Sequence, residues 1–188
     1  MSKCSGQVQL EGFLELGVPE GLRAELIEGE IVVTVAFTAR REKCLSRLSR
    51  QVARMSATPM DFSRKAGLLL SGGDSCTQNY VIPDGVFAST ELDVFDSETT
   101  WTSPRGVAMA VEVRSGRVGC DRTARQHCYA KAAVPFLLLI DQEERHVTLF
   151  STPDRRAADY SETRRVRFGR SLDLPEPFGF ALDTAEFE

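Results

Sequence analysis

Val107-Ala108-Met109-Ala110-Val111-Glu112-Val113-Arg114 carries more information about the fold than any other segment of the chain. It is short, rich in β-branched and small apolar residues, and carries its charges only at the far end, which is the composition of a buried central strand. Side chains alternate across a strand, so Val107, Met109, Val111 and Val113 share one face, and Ala108, Ala110, Glu112 and Arg114 share the other. Downstream, Asp121 is a good N-cap for a helix that runs through Arg125, Tyr129 and Ala133 and stops at Pro135. Phe136 to Ile140 then reads as a second apolar strand, which makes the whole a strand–helix–strand crossover. Asp141 to Arg145 is a turn, and His146 to Ser151 completes a hairpin.

Toward the N-terminus, Val8 to Leu16 is a helical lead-in closed by Gly17-Val18-Pro19. Ala24 to Ile27 and Glu30 to Val35 form a hairpin across Glu28-Gly29, where glycine supplies a positive φ. From Ala39 to Met55 the period becomes helical, with Leu45, Leu48, Val52 and Met55 on one stripe. Gly67 to Ser71 and Asn79 to Ala88 are extended stretches either side of the turn Gly72-Gly73-Asp74-Ser75. Ser89 to Gly106 is an acidic loop, and the C-terminal part holds an edge strand at Val166 to Phe168 and a closing segment around Leu172 to Pro177. One crossover among several hairpins predicts an α/β fold, a mixed sheet with helices on its faces. The 188 residues suit one domain, with residues 1–23 as the lead-in and 24–188 as the core.

Composition excludes several classes. The longest apolar run, Ala132 to Ile140, is far below the roughly 18 residues of a membrane span, and no signal-peptide pattern opens the chain, so a cytoplasmic protein that meets no membrane is expected. Five cysteines (Cys4, Cys44, Cys76, Cys120, Cys128) without a C-x-x-C pair imply reduced thiols. His127 and His146 lack the surroundings of a triad hydrolase or a zinc peptidase. The net charge of −4 hides an asymmetry, because residues 40–65 carry +6 and the rest −10. Arg40, Lys43, Arg47, Arg50 and Arg54 repeat every three or four residues and form a basic stripe roughly 140° around the helix from the apolar one. Such a stripe is either a solvated helix face or a surface for nucleic-acid phosphates.

Two acids stand out chemically. Asp84 follows Pro83 within the apolar run Tyr80 to Phe87, where both residues oppose regular pairing, and Glu112 stands near the end of the central strand. Asp84 can cap a turn and Glu112 can pair with Arg114. Alternatively the two carboxylates are hard ligands for Mg²⁺ or Mn²⁺, an arrangement for phosphodiester hydrolysis.

With those residues in place the chain resembles the Uma-two family of proposed bacterial restriction endonucleases, within the PD-(D/E)XK nuclease superfamily. The likeness runs from about Glu11 to Phe187 and includes Glu25-Leu26-Ile27-Glu28-Gly29-Glu30, Pro83-Asp84, Val111-Glu112-Val113 with Ser115, Asp121 to Tyr129, Ala133-Val134-Pro135, Ile140-Asp141, and Leu174 to Phe180 with Leu182-Asp183. It implies a restriction-endonuclease-like fold and Mg²⁺-dependent cleavage of DNA, with Asp84 and Glu112 as the metal-binding acids. The motif's lysine matches Arg125 on the helix, and the strand position two after Glu112 is Arg114. Arginine stays charged at any accessible pH, so Arg125 and Arg114 can hold a phosphate but not act as a base; Arg125 can equally pair with Asp121. The expected activity is therefore an endonuclease with a two-carboxylate metal site, or a catalytically weak or silent domain on the same fold that binds nucleic acid or a partner. A homodimer is compatible with either.

Overall fold

The computed structural model describes residues 5–35, 38–70, 78–96, 99–114 and 122–188. Asp121, Ser115, the turn Gly72-Gly73-Asp74-Ser75 and the cysteines Cys4, Cys76 and Cys120 lie outside them. In chain order the elements are α1 (Ser5–Leu14), β1 (Leu22–Ile27), β2 (Glu30–Val35), α2 (Ala39–Met55), β3 (Met60–Ser63), β4 (Gly67–Leu70), β5 (Asn79–Val81), β6 (Gly85–Ser89), β7 (Trp101–Thr102), β8 (Val107–Arg114), α3 (Arg122–Lys131), β9 (Phe136–Asp141), β10 (His146–Asp154), β11 (Asp159–Arg167), β12 (Ser171–Leu174) and β13 (Phe180–Asp183).

β8 lies inside a six-stranded mixed sheet of order β11-β10-β9-β8-β6-β3, parallel to β9 and antiparallel to β6. The crossover read from the sequence is thus present, with α3 between the parallel strands. Its two faces are covered by different helices. Met109, Val111 and Val113 pack with Leu45, Leu48 and Val52 of α2, and Ala110 packs with Tyr129 and Ala130 of α3. Met55, expected on the apolar stripe of α2, is instead 52% exposed, and Cys44 and Gln51 are buried beside Leu45, Leu48 and Val52. Thr38 caps α2 by accepting from the Arg41 backbone N–H.

A second sheet has the order β2-β1-β5-β4-β7, and β12 pairs with β13 in a separate hairpin. The β1–β2 link has φ of 50° at Glu28 and 86° at Gly29, both in the left-handed region that a tight two-residue hairpin needs. Asn79 Oδ1 pins that turn by accepting from the Glu28 N–H at 2.7 Å.

The stretch Asn79 to Ala88 differs from its sequence reading. It is two strands in two sheets, β5 in one and β6 in the other, with residues 82–84 as the corner. Proline has no N–H to give a ladder, so Pro83 ends β5 and lets the chain change sheets. Asp84 is consequently placed where the two sheets meet.

Candidate active site

Four elements converge at that corner. Asp84 directly precedes β6, whose Gly85 pairs with Val111 of β8, so the chain around Asp84 lies beside Glu112 and Val113. Asp84 Oδ2 accepts from the Val113 N–H at 2.8 Å. Its Oδ1 faces Arg23 Nη1 of β1 at 3.0 Å and Arg41 Nη1 of α2 at 3.3 Å. Asp84 does not behave as a turn cap; it is a buried acid held by two arginines and one backbone donor.

Glu112 projects from β8 toward α3. Its Oε1 accepts from Arg125 Nη1 at 3.0 Å and from the Tyr129 hydroxyl at 2.6 Å. Arg125 and Tyr129 are one helical turn apart, which is why both reach the same carboxylate. The second arm of Arg125 pairs with Glu25 of β1, and the other oxygen of Glu25 accepts from the Ile82 N–H at 2.7 Å. Glu25 is fully buried. Arg23 Nε stands 3.6 Å from Glu25 and so joins it to Asp84. The cluster is therefore Glu25, Asp84 and Glu112 interleaved with Arg23, Arg41 and Arg125, with Tyr129 on its rim.

Burial shapes the charges. Removal from water pushes the Glu25 carboxyl above its ordinary range, with Arg125 and Arg23 pulling the other way. Asp84 is likewise raised by burial, reinforced by Glu112 and opposed by Arg23 and Arg41. Burial also raises the Tyr129 hydroxyl, helped by Glu112, so this residue stays a neutral donor. For Arg125 burial acts to lower the pKa, but Glu112 and Glu25 outweigh it and the guanidinium is raised further. It cannot serve as a base.

The other candidates are placed differently. Arg114 pairs with Asp141 of the parallel neighbour β9 at 3.0 Å. On α2, Lys43 Nζ donates to the Glu188 backbone at 3.1 Å, Arg47 donates to the Glu186 carbonyl, and Arg50 pairs with the Glu186 carboxylate. Arg40 and Arg54, at the two ends of the stripe, are exposed. Arg23, Glu25, Arg41 and Tyr129 belong to the cluster without having been expected there from the sequence. A signal exists for two of them, because Arg23 and Glu25 alternate on one face of a strand whose other face, Ala24 and Leu26, is apolar.

A mixed sheet with a helix on each face, and with acids gathered where two strands meet beside a helix, is the restriction-endonuclease-like class of α/β protein. The chain belongs to the Uma2 family, described as "Putative restriction endonuclease", whose model matches residues 10–185. Among solved structures it is similar to one described as "a putative nuclease belonging to DUF820 from Anabaena variabilis", with a TM-score of 0.71 and 16% identity over 95% of this chain and 96% of that one. At that identity the likeness establishes the fold. No curated protein matched the chain. No helix among the described residues is long and apolar enough to cross a membrane.

The fold family implies a divalent metal, and the donor set can be tested for it. Of the six carboxylate oxygens of Glu25, Asp84 and Glu112, five already accept from a guanidinium, a backbone N–H or a hydroxyl. A cation within about 2.0–2.6 Å of these oxygens would stand only a few ångströms from guanidinium groups. Two unit charges about 4 Å apart interact by about 4 kcal/mol at an effective dielectric near 20, and a divalent ion doubles that. Among the described residues no three His, Cys, Asp or Glu side chains form a metal-holding group. As arranged, the residues do not fit a divalent cation.

Proposed function

We propose that this protein is a DNA-binding member of its nuclease family whose phosphodiesterase centre turns over slowly or not at all, acting in the cytoplasm as a monomer or homodimer. The family supports nucleic acid as the ligand, and the name restriction endonuclease supports DNA. The observation that carries the reading is the pairing of Asp84 Oδ1 with both Arg23 and Arg41, which leaves the acid expected to hold Mg²⁺ or Mn²⁺ already neutralised. Arg125 adds to this, because it stands at the place of the motif lysine and binds Glu112 and Glu25 as a fixed cation.

In this reading the chain's own groups bind and orient. Arg40 and Arg54 meet backbone phosphates, and Glu25, Asp84 and Glu112 stay locked as the counter-ions of Arg23, Arg41 and Arg125. Arg125 cannot take a proton from an attacking water, and five of the six carboxylate oxygens of the cluster are already engaged, which leaves Oε2 of Glu112 as the one carboxylate oxygen open to a proton. The experiment is a titration of duplex DNA at several salt concentrations without divalent metal. Saturable binding that weakens with salt is expected. Absence of binding at low salt would contradict the proposal.

A further inference from the structure

We infer that Arg23 and Arg41 stand in for the divalent cation of this centre, supplying its charge from within the chain and excluding it. The inference deepens the slow-turnover reading above and rests on it only for the location of the centre. The charge balance is the core of it. Glu25, Asp84 and Glu112 carry −3 when ionised, and Arg125 returns +1, leaving −2, which one divalent ion would cancel. Arg23 and Arg41 add +2 at the same place. With all three acids ionised the cluster is neutral without a metal, and with one it would hold an uncompensated +2 away from water, which a buried site does not tolerate.

Geometry agrees with the count. Both arginines converge on Oδ1 of Asp84, the oxygen that is not already taken by the Val113 N–H. They come from different elements, β1 and the first turn of α2, so no local feature of either one forces them together. Arg23 is also joined to Glu25, and its side chain is 12% exposed, whereas that of Arg41 is 17% exposed. The planar fork of a guanidinium suits it to bridge carboxylates in this way, where lysine would act as a point charge.

The test needs no DNA and no catalysis, so its failure is separable from failure of DNA binding. Bind Mn²⁺ to the full chain and read free ion by electron paramagnetic resonance, alongside melting temperature with Mg²⁺, Mn²⁺ or EDTA. Wild type is expected to bind no more Mn²⁺ than Asp84→Asn and to melt at the same temperature in all three. Arg23→Gln/Arg41→Gln is expected to gain one site, at least about 10-fold tighter than any binding by wild type, with a metal-dependent rise in melting temperature. Adding Asp84→Asn to that variant should abolish the gain, which separates the centre from surface acids. If the double variant does not fold, Arg41→Gln alone is used, since it removes one positive charge and leaves Arg23 with both carboxylates. Wild type binding Mn²⁺ at an Asp84-dependent site would overturn the inference. So would a folded arginine variant that gains none.

Discussion

Arg125 Nη1 donates to Glu112 Oε1 at 3.0 Å, and its other arm holds Glu25, so one helix residue clamps two strands of different sheets. The clamp occupies the place where the family resemblance puts lysine. Restoring that lysine does not release Asp84, which Arg23 and Arg41 hold independently. Arg125→Lys alone is therefore expected to leave plasmid nicking at the level of an Asp84→Ala blank in Mg²⁺ or Mn²⁺. Arg125→Ala, which takes the guanidinium away from buried Glu25 and half-buried Glu112, should destabilise the fold by up to about 3–5 kcal/mol in denaturant titration. A gain of about 10²-fold in nicking from Arg125→Lys would locate the defect at that residue and not at Asp84.

Glu25 introduces a pH dependence with a definite sign. Its folded-state pKa is raised, chiefly by burial, so the native protein takes up a proton there more readily than the unfolded chain. The stability this supplies is fully present below the unfolded pKa and is lost as pH rises through the folded value. Comparing wild type with Glu25→Gln between about pH 4 and pH 8 should show wild type gaining relative to the variant as pH falls. The reverse slope would mean that Arg125 and Arg23 outweigh burial.

The basic stripe divides into spent and available charges. Lys43, Arg47 and Arg50 are engaged by Glu186 and Glu188, while Arg40 and Arg54 face solvent. Arg40→Ser/Arg54→Ser should flatten the log–log salt dependence of DNA binding by about 0.9 for each phosphate that is no longer neutralised. Lys43→Ser/Arg47→Ser should flatten it less. Equal effects from both pairs would show that the C-terminal turn leaves the stripe when DNA binds.

Gly85 sets how closely the Asp84 corner approaches β3. A Cβ added there would come within 2.6 Å of the Phe62 ring. Gly85→Ala is expected to cost about 1–3 kcal/mol, through displacement of Phe62, which packs on Phe87 with ring centroids 4.5 Å apart. A neutral substitution in chemical denaturation would mean that the ring shifts without strain.

Local patterns make much of this fold legible. The alternation in Val107 to Arg114, the helical period of Ala39 to Met55, and Glu28-Gly29 between two extended runs all act over a few residues, and the corresponding elements form accordingly. The break at Pro83-Asp84 is visible in the sequence, but its use as a corner between two sheets depends on partners in β1 and β8 that lie far away along the chain. β3 escapes a sequence reading because its four residues are all half-buried and show no alternation. The same limit applies to the site. Asp84 and Glu112 are distinguished by their local surroundings and Arg125 by the family resemblance, whereas the approach of Arg23 and Arg41 to Asp84 joins residues 61 and 43 positions apart. Tyr129 is legible as a helix residue, and only the placement of α3 over β8 gives it a carboxylate.

Supercoiled plasmid nicking is the decisive measurement, because binding without hydrolysis is what an arginine-neutralised centre predicts. Wild type and Asp84→Ala are compared in Mg²⁺ and in Mn²⁺, at a protein concentration that saturates the plasmid in a gel shift. Both proteins are expected to shift the DNA, and wild type is expected to nick no faster than the Asp84→Ala blank, or only marginally so. Rapid metal-dependent nicking by wild type that Asp84→Ala abolishes would refute the neutralised centre, since Asp84 would then have exchanged Arg23 and Arg41 for a cation.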